Sequence, residues 1–422
     1  MRAIRFILVS LWLLVPVLCC AQLRRGEATV EYRYDNGQYS AVVNRLGWSE
    51  KKTVRLCTDD DLYGMPVNHT LYAEAKAKKA YRLLFEPLER YLNPGDNVYY
   101  SATMMLWYCN VDAFVDNDGR RLFEKYHFFR LDDIRAFPVD PKNHFYSVVL
   151  LYCGMDYDAD PEKMKEYAWT LHTRDFQHLY EDVKGGNCED MDFGASEDGT
   201  RAGFRNLKNS KGEIKFIYSL ERHFSSPHTG EKALEELFRQ DTRRDHEYIM
   251  HISTHTFNMP AGYLENDTPE ERYEKYMRST GLLFSGASRT LRGEAMPYNL
   301  NDGLLYAAEI ARLDMSHCAM VVLGACNTAL GEVSQDGILG LQTAFKEAGA
   351  HTLLMTLWSV NDKATSEFMK RFYTYLFDGK TKHESLDLAR MDLMRSEDFN
   401  DPIYWAPFIM LDSAISLSEI SA

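Results

Sequence analysis

At 422 residues, with 45% apolar and 13% aromatic side chains, the chain carries material for more than one hydrophobic core and is not a disordered polymer. Its 62 acidic against 48 basic side chains leave a formal charge of −14, which argues against nucleic acid or an anionic membrane surface as the main partner. The first 21 residues read as an export signal. Arg2 and Arg5 precede the apolar stretch Phe6 to Leu18, and small residues Cys19 and Ala21 sit at −3 and −1 of a break before Gln22. That stretch is shorter than the ~20 residues a membrane span needs, and no later segment approaches one. The expected location is therefore periplasmic or secreted, with lipid anchoring at Cys19 or Cys20 as the minor alternative. In an exported chain Cys57, Cys109, Cys153, Cys188, Cys318 and Cys326 invite a disulfide reading. Cys109, Cys153 and Cys318, however, lie in or beside apolar runs, where a cysteine behaves as a small hydrophobe.

After the signal, Val30, Tyr32 and Tyr34 alternate with polar residues, as in a half-exposed strand, and Asp35-Asn-Gly37 marks a turn. Leu71 to Tyr91 shows a helical period with Ala73, Ala77, Ala80 and Leu84 on one side, closed by Asn93-Pro-Gly95. Strand patterns follow at Asn97–Ala102, Tyr126–Leu131 and Phe145–Leu151, with a turn at Asp116-Asn-Asp-Gly119 between the first two. A helix from Pro161 to Tyr180 and a long loop around Gly185-Gly186 are expected next. In the second half, Pro227-His-Thr-Gly230 reads as a turn, Glu231–Arg239 as a helix, Tyr248–Thr254 as a strand and Pro260–Thr280 as a polar insertion. Leu305–Arg312 reads as a helix leading into a short apolar strand, Ala319–Leu323. Gly340–Ala348 is helical, Thr352–Val360 a strand, and Asn361-Asp362 opens a helix with a Phe368, Phe372, Leu376 stripe. A helix with Leu386, Ala389 and Leu393 and a strand Ile403–Leu411 complete the chain. Alternating strands and helices predict an α/β fold with a parallel sheet covered on both faces.

In such sheets ligands bind beyond the carboxyl ends of the strands. Cys326 follows its strand by three residues and His255 directly follows Tyr248–Thr254, so a parallel arrangement brings thiol and imidazole to one edge. A thiol is mostly protonated near neutrality. An imidazole partner raises its thiolate fraction and can protonate a leaving amine. His251 and His255 also spell H-x-x-x-H, but on a strand they stand ~13 Å apart at ~3.3 Å per residue, too far to chelate one ion. No metal and no cofactor are expected. Asp302, Asp336 and Asp362 lie near predicted strand ends and are candidate partners for a substrate Arg or Lys; Asp362 also suits a helix N-cap, and Asp302 and Asp336 suit Asp-Gly turns. Trp358 is a candidate pocket wall or a core residue.

Several ordered segments carry a family resemblance: Val321-Val-Leu-Gly-Ala-Cys-Asn-Thr-Ala-Leu-Gly-Glu-Val333, Asp336-Gly-Ile-Leu-Gly-Leu341, Leu357-Trp-Ser-Val-Asn-Asp362, Tyr404-Trp-Ala-Pro-Phe408, Ile252-Ser-Thr-His255 and Asp302-Gly-Leu-Leu-Tyr-Ala-Ala-Glu-Ile310. Together they resemble the CHAT domains, caspase-like peptidase domains often found beside tetratricopeptide repeats. The resemblance runs from about Tyr72 to about Leu411. It implies a caspase-like, parallel-rich sheet flanked by helices in residues 221–418, preceded over residues 22–220 by a smaller, degenerate α/β half. It further implies Cys326 as nucleophile, His255 as general base and acid, and an oxyanion held by the backbone N–H groups of Thr256 and Cys326. The expected activity is that of an exported cysteine endopeptidase acting on a protein or peptide, with a basic P1 residue if one of the aspartates lines the pocket. Thr256 stands where the family usually has glycine after the histidine, and Ala329 where it has glycine after A-C-x-T. A catalytically inactive CHAT-like protein-binding module is the second reading.

Overall fold

The computed structural model describes residues 23–134, 148–168, 207, 210–220, 227–264, 266–324 and 338–412. The export signal with Cys19 and Cys20, the start of the expected strand at Phe145, the expected helix beyond Ala168, the Gly185-Gly186 loop, Cys188, Cys326, Ala329 and Asp336 lie outside the described residues. The strands are β1 (Glu27–Asp35), β2 (Gln38–Arg45), β3 (Lys52–Thr58), β4 (Asn97–Ser101), β5 (His127–Leu131), β6 (Val148–Met155), β7 (His228–Gly230), β8 (Tyr248–Ser253), β9 (Thr256–Asn258), β10 (Thr280–Leu283), β11 (Leu304–Tyr306), β12 (Cys318–Leu323), β13 (Thr352–Thr356) and β14 (Phe408–Asp412). Eleven form one sheet in the order β3-β2-β1-β4-β5-β14-β13-β12-β8-β6-β7, and β11-β10-β9 form a second, three-stranded sheet.

The large sheet is mostly parallel, but it contains two opposed sets. β1, β4, β5 and β14 run one way. β14 is antiparallel to β13, and β13, β12, β8, β6 and β7 run the other way. The carboxyl ends of β6, β8, β12 and β13 therefore share one edge, and those of β1, β4, β5 and β14 the opposite edge. Both halves of the chain thus contribute to a single continuous sheet, joined where Leu411 and Asp412 of β14 pair with Arg130 and Leu131 of β5. β6 and the helix Ser210–Leu220 precede residue 221 in sequence, yet β6 pairs with β8 among the later strands.

Local chemistry explains the elements. In the β1–β2 hairpin Asp35 pairs with Gln38, so Asn36 and Gly37 form a two-residue turn with φ of 46° and 81°, values that Asn and Gly tolerate. The helical period from Leu71 to Tyr91 does not form one helix. It divides into a 3-10 turn (His69–Tyr72), a helix (Glu74–Leu84) and a short helix (Glu86–Glu89). Pro87 lacks an N–H and its ring clashes with the preceding turn, so the first helix stops at Leu84. The fully buried Ala77, Ala80 and Leu84 still make its inner face. The segment His228–Gly230, expected as a turn, is the short edge strand β7 beside β6. The polar insertion contains the helix Pro269–Met277, capped by Thr268 with Glu271 reciprocating. The expected strand Thr352–Val360 ends at Thr356, and Leu357, Trp358 and Val360 are buried by packing outside the sheet.

Helices cover both faces. His251 of β8 reaches Tyr373 of the helix Asp362–Phe377 and Glu213 of the helix Ser210–Leu220 on one side. Tyr152, in register with Ile252 and so facing the other way, packs edge-on against Phe238 of the helix Glu235–Asp241. The Phe368 and Phe408 rings stack at 3.6 Å beneath the first face. Among the described residues no disulfide joins Cys57, Cys109, Cys153 and Cys318, and burial pushes the Cys57 and Cys109 thiols up to about 12. No helix among the described residues is long and apolar enough to cross a membrane.

Candidate active site

β8 lies between β6 and β12 and every one of its residues is buried, which is why its text, Tyr-Ile-Met-His-Ile-Ser, is mostly apolar, with one histidine inside it and a serine at its end. The strand ends at Ser253, and Thr254 and His255 turn the chain into β9. His255 is partly exposed at this edge. Its carbonyl accepts the Leu283 N–H at 3.0 Å, and its own N–H donates to the Tyr157 hydroxyl at 3.2 Å. The Tyr157 ring lies 5.5 Å from the imidazole, tilted by 40°. Thus the main chain of His255 is bonded on both its donor and its acceptor.

β12 ends beside it. Leu323 pairs with Ile252, and the Gly324 N–H donates to the Ile252 carbonyl at 2.9 Å. A Cβ on Gly324 would stand 3.3 Å from Ser253 Oγ, so glycine allows the two strand ends their close approach. His255 stands two residues past Ser253. Cys326, two residues past Gly324, lies outside the described residues, as does Asp336.

Thr256 is the first residue of β9 and pairs with Leu282 of β10. Its φ is not positive, so a β-branched side chain is accommodated there without backbone strain. Asp302 lies two residues before β11, which stands two strands away from β9, and its carboxylate accepts the Leu304 N–H at 2.8 Å. Burial pushes that carboxyl up to about 6, opposed by this bond and helped by Glu309. Nearby, Arg239 bridges Glu235 at 2.5 Å and Glu309 at 2.8 Å. Asp362 is not the helix cap. Asn361 is, its side chain accepting from the N–H groups of Lys363 (2.8 Å) and Ala364 (3.3 Å), while Asp362 occupies the first turn, where a negative charge suits the helix dipole. Trp358 is buried, donating from Nε1 to the Ile403 carbonyl at 3.1 Å and packing 5.4 Å from the Tyr72 ring, a contact between the two halves.

His251 is separate from this edge. It is fully buried between Glu213, at 2.9 Å from Nε2, and Tyr373, at 3.1 Å from Nδ1. The two partners are 38 and 122 residues away in sequence, so no local pattern announces the group. It ties two helices to the central strand and leaves His251 no role at the edge where His255 stands. Among the described residues no cluster of His, Cys, Asp and Glu could hold a metal ion.

The three-stranded sheet that carries β9 is sensitive to one residue. A Cβ on Gly281 of β10 would stand 2.3 Å from the Leu305 carbonyl oxygen and 2.6 Å from the Phe257 ring. The first neighbour is backbone and cannot swing aside. Gly281→Ala is expected to lower stability by about 2–3 kcal/mol, read as a lower urea midpoint at unchanged slope. A midpoint within error of the parent chain would show that β10 and β11 separate freely.

A CHAT domain family model matches residues 74–413. Tetratricopeptide repeat protein 28 of Mus musculus is 35% identical over 123 residues, 29% of this chain, and its Homo sapiens counterpart is 32% identical over the same length and share. The chain spans only 5% of the length of either relative. Among solved structures, that of the Arg specific cysteine proteinase gingipain R (RgpB) aligns with a TM-score of 0.41 at 7% identity, covering 85% of this chain and 70% of that one. A complex of Porphyromonas gingivalis RgpB pro- and mature domains gives 0.40 at 7% identity, covering 85% and 71%. The family match extends over most of the sequence, across both strand sets and the edge where His255 stands, and the chain belongs to the CHAT-domain family.

Proposed function

We propose that the chain is an exported cysteine endopeptidase in which Cys326 is the nucleophile and His255 its base and acid. The observation that carries this reading is the register at the ends of β8 and β12, where Gly324 rests on Ser253. From that contact His255 and Cys326 are each two residues onward. At about 3.3–3.6 Å per residue neither Cα can lie more than about 7 Å from its own member of the contact.

In the proposed reaction the thiol proton passes to the imidazole and the thiolate sulfur bonds to the peptide carbonyl carbon. The oxyanion is received by the N–H groups of Thr256 and Cys326. Collapse breaks the C–N bond as the imidazolium protonates the departing amine. A water, deprotonated by His255, then hydrolyses the thioester. Thr256 lies in β9 without a positive φ, so its β-branched side chain imposes no backbone strain where the family usually has glycine. The substrate is a peptide or protein segment, with Arg or Lys at P1 if Asp336 or Asp302 faces it.

The test is a peptide-library cleavage screen of the chain from Gln22 onward, under reductant, with Cys326→Ala as control and a thiol-reactive peptidyl probe in parallel. Cleavage and probe labelling at Cys326, both absent in the control, are the expected result. A folded chain that neither cleaves nor labels is a binding module.

A further inference from the structure

We propose that Tyr157 is the positioning residue that fixes His255 at the sheet edge; this rests on the peptidase reading of His255. β6 pairs with β8 only as far as Cys153 and Ser253. Beyond that pair the ladder has ended, so the His255 N–H has no strand partner from β6. The Tyr157 phenol takes that place. Its proton assignments follow from its neighbours. Thr254 Oγ1 donates to the Leu283 carbonyl, which commits the threonine proton. The Tyr157 hydroxyl, 3.0 Å from Thr254 Oγ1, must therefore donate to it while accepting from the His255 N–H. Leu283 in turn donates its own N–H to the His255 carbonyl. The result is a closed circuit through Tyr157, Thr254, Leu283 and the His255 backbone, with the phenol ring against the imidazole face.

Tyr157 is itself held firmly. It is buried, its carbonyl accepts the Ser288 N–H at 3.0 Å, and the preceding Asp156 carbonyl accepts the Gly286 N–H at 3.0 Å. The orientation of the imidazole is thus referred to β6 and to the helix Ala287–Leu291, not to its own short turn alone. A small misplacement of a base costs rate without weakening substrate binding, so the effect belongs in kcat.

Two substitutions separate ring from hydroxyl. Tyr157→Phe keeps the ring and removes the circuit. Amide hydrogen exchange at His255 is expected to accelerate at least about tenfold, and kcat to fall about tenfold at constant KM. Tyr157→Leu also removes the ring, and kcat is expected to fall about 100-fold. The structural readout is made in a Cys326→Ser background by NMR, where no turnover is required. The His255 ring protons should lose their upfield ring-current displacement in Tyr157→Leu and retain it in Tyr157→Phe. If the displacement and the exchange rate are the same in all three chains, the proposal is overturned. Should Tyr157→Leu fail to fold, Tyr157→Phe alone decides through the exchange rate. If the Tyr157 variants show these NMR changes while the parent chain cleaves no peptide, the peptidase reading fails and the positioning stands.

Discussion

Replacing His255 by glutamine is expected to lower the rate of peptide cleavage by about 10³-fold, within the 10²–10⁴ range that a positioned general base supplies. Glutamine keeps the size and polarity of the side chain, and the backbone bonds to Tyr157 and Leu283 do not involve the imidazole. The fold should therefore survive, with a urea midpoint close to that of the parent. What disappears is the group that withdraws the thiol proton. Without it, reactivity follows the small thiolate fraction of an ordinary thiol, whose pKa is near about 8.5. The sign of the residual pH dependence is then fixed. Deprotonation creates the nucleophile, so the rate of His255→Gln rises about tenfold per pH unit up to that range and levels off above it. Alkylation of Cys326 by iodoacetamide provides the same profile without a peptide substrate. If His255→Gln keeps more than a third of the parent rate at pH 7, His255 is not the base.

The candidate edge was legible in sequence because its signals are local. A short apolar run ending in Gly324, and another ending at His255, need only burial on both faces and a polar stop to be recognised. Strand direction has no such local signal. The segment Ile403–Leu411 reads as a strand, but its first residues belong to the helix Pro402–Trp405, and nothing in Phe-Ile-Met-Leu-Asp says that the remaining strand opposes β13 and thereby reverses half the sheet. A three-residue strand such as β7 is too short to show a period, and Gly230 within it reads as a turn residue. The helix Pro269–Met277 was within reach, since Thr268-Pro-Glu-Glu271 is a capping box and only the polar character of the stretch concealed it. Trp358 and Val360 extended the apparent strand because burial outside the sheet, for Trp358 against Tyr72 of the other half, selects the same residues as burial in a sheet. Tyr157 carried no signal at all. Its role comes from where β6 ends relative to His255, a matter of register between residues 98 apart.

The largest expected loss of stability falls far from this edge, at Arg390. Its guanidinium is fully buried and joins the two halves: Nη1 lies 2.9 Å from Asp112 of the first half and 3.2 Å from Asp387 on its own helix, Lys382–Arg395. Nε donates to the Phe408 carbonyl at 3.1 Å, and Nη2 donates to the same oxygen. Asp112 also accepts from the Tyr100 hydroxyl at 3.1 Å, so the group reaches into β4. Arg390→Met fills much of the volume but leaves the buried Asp112 carboxylate without its cation, with the partly exposed Asp387 beside it. Removing one member of such a group costs about 3–5 kcal/mol, and the urea midpoint should fall accordingly. Asp387 shows the same imbalance from the other side. Burial pushes its carboxyl up to about 7, against the pull of Arg390 and with the help of Asp112. Between about pH 4 and 7 the folded chain therefore holds a proton there that the unfolded chain has released, and stability declines as pH rises through that window. Asp387→Asn removes the decline. Relative to the parent it should gain on the order of 1–4 kcal/mol between pH 4 and pH 8, measured by urea titration at both values. An equal offset at the two pH values would mean that Asp387 remains ionised beside Arg390 in the folded chain, and a small effect of Arg390→Met would mean that the two halves are held chiefly by the β5–β14 pairing.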